Sequence, residues 1–359
     1  MRHLIEIADL SNAEIETLIH TANDMMTHPE DYWDACAHRK LATLFYEPST
    51  RTRLSFESAM LSLGGQVLGF SDVGSSSVSK GESLQDTIRI VSSYADIIAI
   101  RHPRDGAALA AALKSGVPII NAGDGGHDHP TQTLTDLTLI SREKGHIGSM
   151  TIGLCGDLRY GRTVHSLVEA LCRYPSIHFL LIAPEELRMP GFVRELLEST
   201  GQTYEEVEDL DAALPQLDIL YMTRVQRERF SDPAVYERVK DFYILTPERM
   251  ERARKDLTVM HPLPRVNEIS PLLDDDPRAA YFRQAACGRY IRMALIQMLL
   301  EEKDRPHELT GHNVIWQEHS LCPNNRCISL SEPCLQWGYI PGKHSGDRAR
   351  CIYCGRGIS

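Results

Sequence analysis

The sequence predicts an α/β protein: two doubly wound parallel-sheet domains in succession, then a small C-terminal module of different composition. Three observations predict it. At 359 residues the chain is longer than one ordinary hydrophobic core supports. Short apolar runs alternate with helical patterns in two consecutive sets, and such alternation implies parallel strands joined by helical crossovers. From about residue 310 no long periodic element continues, and the chain becomes rich in Cys, Pro, Gly and Asn.

Taken in order, Ser11-Asn12-Ala13-Glu14 has the form of a capping box, and Ile15, Leu18, Ile19 and Ala22 follow at helical spacing. The chain therefore opens with an amphipathic helix. Residues 41–46 read as a strand, 54–63 as a helix closed by Gly64-Gly65, and 66–70 as the next strand, which completes one βαβ unit. The Ser- and Gly-rich segment 71–81 reads as a loop before a helix at 82–94. A strand at 96–101, a helix at 106–115 and a strand at 117–122 finish the first set. A helix at 131–143 leads past a hinge to the strand at 150–155. The second set continues with a helix at 162–173, a strand at 177–183, a helix near 192–197 and strands at 218–222 and 258–260. The charged segment 227–239 reads as a loop and short helix free to close over a bound molecule, and a last helix at 279–300 ends before Asp304-Arg305-Pro306.

A net charge of −11 argues against nucleic acid or an anionic membrane as partner, so any anionic ligand must be drawn in by local arginines. There is no run of 18 apolar residues, and Met1-Arg2-His3-Leu4-Ile5-Glu6 lacks a signal-peptide core, which predicts a soluble, cytoplasmic protein. Of nine cysteines, Cys36, Cys155, Cys172 and Cys287 are scattered and five crowd beyond residue 320. That distribution points to reduced thiols and a local metal site.

The candidate chemistry begins at Glu47-Pro48-Ser49-Thr50-Arg51-Thr52-Arg53, between a strand and a helix start. Hydroxyls, guanidinium charge and unpaired helix N–H groups on one spot suit a phosphate, although Ser and Thr also serve as ordinary helix caps. Four further polar clusters each follow an apolar run: Arg101-His102-Pro103, His129-Pro130-Thr131-Gln132, Thr223-Arg224-Val225-Gln226 and His261-Pro262-Leu263-Pro264. Ligands of open α/β sheets bind at the C-terminal ends of strands. Gly156 to Gly161 has the spacing of a nucleotide loop but lacks the Lys-Ser/Thr that would follow, and Arg162 suits substrate contact better.

Together and in this order, through roughly the first 305 residues, these motifs resemble the catalytic chain of the aspartate carbamoyltransferases. The resemblance implies transfer of the carbamoyl group of carbamoyl phosphate to the amine of L-aspartate, in de novo pyrimidine biosynthesis, with no cofactor for catalysis. It implies that Ser49, Thr50, Arg51 and Thr52 hold the phosphate, that Arg101 reaches both phosphate and carbonyl oxygen, and that Thr52, Arg101 and His129 are the oxyanion donors. Gln132 would hold the carbamoyl amide, Arg162, Arg224 and Gln226 the aspartate, and the carbonyls of Pro262 and Leu263 the attacking amine. It further implies a homotrimer, alone or paired, in which Ser76 and Lys80 enter a neighbour's active site, Lys80 touching both substrates. The domains would be a carbamoyl-phosphate domain at 1–130 with the returning helix 279–305, an aspartate domain at 131–278, and the tail at 310–359. Arg159 stands where some relatives carry Lys, and His127 is given no role.

In the tail, Cys322 and Cys327 form C-x4-C and, after 23 residues, Cys351 and Cys354 form C-x2-C. Two close thiolate pairs are the spacing of a closed structural zinc site, and a module near fifty residues needs such a staple, so a small C-terminal zinc-binding domain is expected, with Cys334, His319 and His344 as lesser candidates. Cys322-Pro323-Asn324-Asn325-Arg326-Cys327-Ile328-Ser329 resembles the zinc domain of the aspartate carbamoyltransferase regulatory chain, which implies an assembly element packed on a neighbouring catalytic subunit. With no stretch resembling that chain's nucleotide-binding domain, no response to ATP or CTP is expected. Three other readings compete: an ornithine carbamoyltransferase, a non-catalytic zinc-bearing regulatory subunit, and a nucleic-acid-binding tail carrying Arg326, Lys343, Arg348, Arg350 and Arg356. Ornithine enzymes usually carry His-Cys-Leu-Pro where this chain has His261 to Pro264, and an acceptor with two carboxylates fits Arg162 and Arg224 where a cationic one does not.

Overall fold

A computed structural model describes residues 1–72, 77–225, 233–306, 309, 313–333, 335–342 and 348–358. The chain divides into two compact units, Met1–Thr131 with Arg289–Ser359, and Gln132–Gly288.

The first unit opens with α1 (Asn12–Thr27), whose capping box forms as read: Ser11 Oγ accepts the Glu14 N–H, and the Glu14 carboxylate accepts the Ser11 N–H. Next come β1 (Lys40–Phe45), α2 (Thr50–Ser62), β2 (Gln66–Phe70), α3 (Leu84–Val91), β3 (Ile97–His102), α4 (Ala107–Ala112) and β4 (Ile119–Asp124). The strands are all parallel, in the order β2-β1-β3-β4. Helix α2 starts four residues before its apolar pattern, because its first turn is the polar Thr50-Arg51-Thr52-Arg53. Residues 77–80 of the expected loop form a short 3-10 helix.

Helix α5 (Pro130–Lys144) carries the chain into the second unit. There β5 (Met150–Cys155), α6 (Arg162–Leu171), β6 (Ile177–Ile182), α7 (Gly191–Ser199), β7 (Thr203–Val207), α8 (Leu210–Ala213), β8 (Ile219–Met222), α9 (Pro233–Val239), α10 (Pro247–Met250) and β9 (Thr258–Met260) follow. The five parallel strands are ordered β7-β6-β5-β8-β9. Strand β7 was not expected: it is Thr-Tyr-Glu-Glu-Val at the sheet edge, with no fully buried position, so it lacks the apolar run that marks an inner strand. Helix α11 (Tyr281–Glu301) returns to the first unit, where Arg292 donates to Ser55 on α2 and to Thr131.

The tail forms a small antiparallel sheet of β10 (Ile315–Gln317), β11 (Trp337–Ile340), β12 (Ala349–Cys351) and β13 (Gly357–Ile358), strands too short to give a periodic signal. Within the first unit the tail packs on the loop after β3 and on α3 and α4. Ile328, Trp337, Ile352 and Tyr353 share one hydrophobic core with Ala107, Ala108 and Ala111 of α4 and Ile88 of α3. Backbone bonds join Asp105 N–H to the Arg326 carbonyl and Ile328 N–H to the Asp105 carbonyl, both at 3.0 Å, and Asn324 donates to the Asp105 carboxylate at 2.8 Å. Gly106, at φ +82, is required there, since a Cβ would sit 2.3 Å from the Tyr353 carbonyl oxygen.

Candidate functional sites

In the first unit the sequence-predicted residues gather at the C-terminal ends of β1, β3 and β4. Ser49 precedes the first residue of α2, but its hydroxyl donates to Thr52 Oγ1 at 3.0 Å and makes no cap to the helix backbone. Thr50, Arg51 and Thr52 occupy the first turn, where helix N–H groups carry partial positive charge. Arg101, near the end of β3, has a side chain only 12% exposed. Its partners are poor: Glu47 at 3.4 Å, the Ala122 carbonyl at 3.5 Å, and none for the buried Nε. Burial pulls its pKa down, Glu47 opposes this and the charge of Arg51 adds to it, so two guanidiniums bear on one another here. An anion at this point would relieve both.

His129 is buried, and its N–H is accepted by Asp128 at 2.6 Å. The turn that delivers it is stitched by carboxylates. Asp124 accepts from Gly106 N–H at 2.7 Å and from Asn121, and Asp105 accepts from Gly126 N–H at 2.7 Å. His127 lies 3.2 Å from both Asp124 and Glu6. Burial disfavours its charged form, but the two carboxylates outweigh that and raise its pKa well above the ordinary value. Burial pushes Asp124 up, but His127, Asn121 and the Gly106 N–H together outweigh it and hold the carboxyl below its usual range. His127 is thus a structural ion-pair member, a role invisible without the neighbours. Lys80 is exposed, at the end of the 3-10 helix. Ser76 lies outside the described residues.

In the second unit β5 and β8 are adjacent, with Cys155 opposite Met222, so the loops that follow leave the sheet side by side. One delivers Arg162, the first residue of α6, and the other Arg224; both are half-buried. The Thr223 hydroxyl locks the loops together, donating to the Cys155 carbonyl at 3.1 Å and accepting the Asp157 N–H at 2.8 Å. Gly156, at φ +113, lets this happen, because a Cβ would lie 2.5 Å from the Thr223 carbonyl oxygen. Its glycine thus has a packing role in place of a nucleotide-binding one. After β9, Leu263 is held at φ +54, uncommon for a leucine, by its N–H bond of 2.7 Å to His261 Nδ1. His261 Nε2 therefore carries the proton and donates a hydrogen bond to Glu268 at 2.7 Å. Burial pushes Glu268 up, but His261 and the Val266 N–H outweigh it and hold the carboxyl below its usual range. Gln132 donates to Asp136 at 2.7 Å. Gln226 lies outside the described residues. A cavity of about 490 Å³ opens beside Met150, Asp218 and Thr258, at the N-terminal ends of the strands and away from these loops.

The residues missed by sequence reading are Asp136, Tyr221 and Gln284. The one signal available was that Asp136 stands four residues after Gln132 on a helix, which puts both on one face.

In the tail, the Sγ atoms of Cys322, Cys327, Cys351 and Cys354 all lie within 4.8 Å of one another, and all four residues are buried. Cys322 and Cys354 are 3.4 Å apart, Cys327 and Cys351 3.8 Å. A tetrahedral ion with metal–sulfur bonds of about 2.3 Å separates its sulfurs by about 3.8 Å, so the cluster has the dimensions of a metal site. Trp337, whose indole can only donate, gives its N–H to Cys351 at 3.2 Å, which favours thiolate there. Hydrogen bonds from Cys322 and the other thiols drive Cys351 below its ordinary pKa. His319 is not in the cluster, and Cys334 and His344 lie outside the described residues.

Residues 2–142 match the family model of the aspartate/ornithine carbamoyltransferase carbamoyl-P binding domain, and residues 149–299 that of the Asp/Orn binding domain. The chain belongs to the aspartate/ornithine carbamoyltransferase family. Two similar relatives within it are aspartate carbamoyltransferase catalytic subunits. The aspartate carbamoyltransferase catalytic subunit of Lachnoclostridium phytofermentans is 58% identical over 301 residues, 84% of this chain and 98% of that one. That of Clostridium perfringens is 56% identical over 302 residues, with the same shares covered. Among solved structures, the catalytic subunit of M. jannaschii aspartate transcarbamoylase has a TM-score of 0.79 at 47% identity, covering 85% of this chain and 100% of that one. Aspartate transcarbamoylase from Trypanosoma cruzi in complex with N-(phosphonacetyl)-L-aspartic acid has a TM-score of 0.78 at 40% identity, covering 83% and 95%.

Proposed function

We propose that this chain is an aspartate carbamoyltransferase: the amine of L-aspartate attacks the carbonyl of carbamoyl phosphate, the C–N bond forms, the C–O bond to phosphate breaks, and the amine loses one proton. Positioning two anions and stabilising the developing oxyanion supply the rate, and no covalent intermediate is needed. Ser49, Thr50, Arg51 and Thr52 bind the phosphate; Thr52, Arg101 and His129 donate to the oxyanion. Gln132 accepts from the carbamoyl amide. Arg162, Arg224 and Gln226 bind the two carboxylates, and the carbonyls of Pro262 and Leu263 accept N–H bonds from the amine. Residues 1–130 with 279–305 would be the carbamoyl-phosphate domain and 131–278 the aspartate domain.

The observation that carries this reading over an ornithine enzyme is the pair Arg162 and Arg224 on neighbouring loops of one sheet, two guanidiniums where a second carboxylate is to be held and a second ammonium would be repelled. Phosphate release from carbamoyl phosphate, with aspartate or ornithine as acceptor, tests it. Turnover with aspartate alone is expected, and turnover with ornithine alone would overturn the reading.

The tail is proposed to bind zinc through Cys322, Cys327, Cys351 and Cys354, in the manner of the regulatory-chain domain it resembles. Zinc there would cross-link the module, and four sulfur ligands leave no position for substrate. The assembly is proposed to be a homotrimer, alone or paired, with Ser76 and Lys80 completing a neighbour's site, in the cytoplasm. Among the described residues no helix is long and apolar enough to cross a membrane.

A further inference from the structure

Three segments that the proposed function assigns to substrate converge, inside the second unit, on a carboxyl it does not use. Asp136 lies on α5 and is 0% exposed. Its Oδ1 accepts from Gln132 Nε2 at 2.7 Å and from Gln284 Nε2 at 2.6 Å, and its Oδ2 accepts from the Tyr221 hydroxyl at 2.9 Å. Each contact leads on. With Nε2 committed to a carboxylate, the Gln132 amide turns its oxygen away from Asp136, the orientation needed to accept from a carbamoyl N–H. Gln284 is oriented in the same way, and its oxygen accepts the His261 N–H at 2.9 Å, directly before Pro262 and Leu263. Tyr221, on β8, is also hydrogen-bonded with Thr163, the residue after Arg162.

We infer that Asp136 is a positioning residue: through Gln132, Gln284 and Tyr221 it sets the carbamoyl-amide acceptor, the Pro262 and Leu263 carbonyls and the start of the Arg162 helix relative to one another. It thereby governs use of aspartate and leaves the phosphate grip of the first unit alone. The inference rests on the proposed function. Burial first, and then the adjacent Asp136 carboxyl, raise the Tyr221 pKa well above its ordinary value, so the hydroxyl keeps the proton it donates. A neutral, buried tyrosine and two amides make a network whose geometry salt hardly screens, and each bond lost displaces a segment that touches substrate.

The test compares Asp136→Ala, Asp136→Asn and Tyr221→Phe in the full-length chain, measuring kcat, the KM of aspartate, equilibrium binding of carbamoyl phosphate without aspartate, and thermal unfolding. Asp136→Ala is expected to raise the aspartate KM at least about tenfold and Tyr221→Phe about fivefold, with a smaller loss of carbamoyl-phosphate affinity, since of the groups Asp136 holds only Gln132 is assigned to that substrate. Asp136→Asn, which keeps one acceptor oxygen for the two glutamines, should recover most of the loss. If Asp136→Ala does not fold, the other two variants decide. A lowered melting temperature with unchanged aspartate KM in the soluble variants, or equal loss of both substrates, would overturn the inference. Arg162→Ala separates the two levels: if it too leaves aspartate saturation unchanged, the proposed function itself fails, whereas a large effect there with none from Tyr221→Phe and Asp136→Asn removes only the role of Asp136.

Discussion

The first unit brings charge to its candidate site: an α2 first turn with Thr50, Arg51 and Thr52, and a poorly paired Arg101 beside it. The second unit brings Arg162 and Arg224 too, but sets its loops through buried hydrogen bonds to the carboxyl groups of Asp136 and Glu268. Coulomb attraction falls off slowly with distance, whereas a hydrogen bond weakens steeply with misalignment. On the proposed function, a phosphate, compact and multiply charged, would be gripped adequately by the first arrangement. An amine that must be aimed at a carbonyl needs the second. Two parallel sheets would thus serve two physical tasks.

The sharpest way to break this contrast is Arg101→Ala. If the first unit acts through field and oxyanion stabilisation, kcat should fall about 10³-fold, as for loss of one preorganised donor; a fall in phosphate affinity with kcat intact would reduce Arg101 to a binding group. Next in size is complementation. Lys80→Ala and Arg51→Ala chains should each be nearly inactive alone, and mixed trimers should regain part of the activity through sites that draw both intact residues from different chains. No regain in mixed trimers verified by mass would remove Lys80 from the shared site. A smaller effect is expected from metal removal. Because the tail shares its core with α3 and α4, chelation should alter Trp337 fluorescence and speed hydrogen exchange in those helices, leaving α6 and α7 unchanged. Equal loosening of both units would deny the tail a local role.

The smallest effect is a pH dependence confined to the first unit. His127 has a folded-state pKa well above its ordinary 6.5, so its stabilisation is complete below pH 6.5 and is lost as pH rises through the folded value. Asp124, held below 3.8, contributes above that value and is lost as pH falls. His102, pushed down to about 4 by burial, lowers stability as pH falls from 6.5 toward 4, the opposite sense to His127. His127→Gln should therefore flatten the decline on the alkaline side and lessen the Asp124 part of the acid decline, leaving the His102 part in place, measured as denaturant midpoint against pH. An unchanged alkaline limb would show that the ion pair with Asp124 and Glu6 contributes nothing.

Reading the sequence worked best where a pattern repeats or a motif is local. The inner strands were legible as apolar runs, and the four tail cysteines by their spacing. Strand β7 was not, because an edge strand with polar side chains on both faces has no run to find. The start of α2 was set late because its first turn is polar, as a turn facing an anion should be. Asp136, Tyr221 and Gln284 come from three separate elements, and their meeting has no local signature.

The sequence by itself determined the two alternating sets, the order of the site motifs and the metal-type cysteine pairs, since each depends on residue type and on spacing within one segment. Only the tertiary structure decided that the tail rests on the loop after β3, that His127 is paired with two carboxylates, and that Gln132, Tyr221 and Gln284 share one carboxyl. The deciding contacts include pairs 85 and 219 positions apart, Tyr221 with Asp136 and Asn324 with Asp105. Chain folding makes them neighbours, and nothing in the spacing of residues along the chain records it.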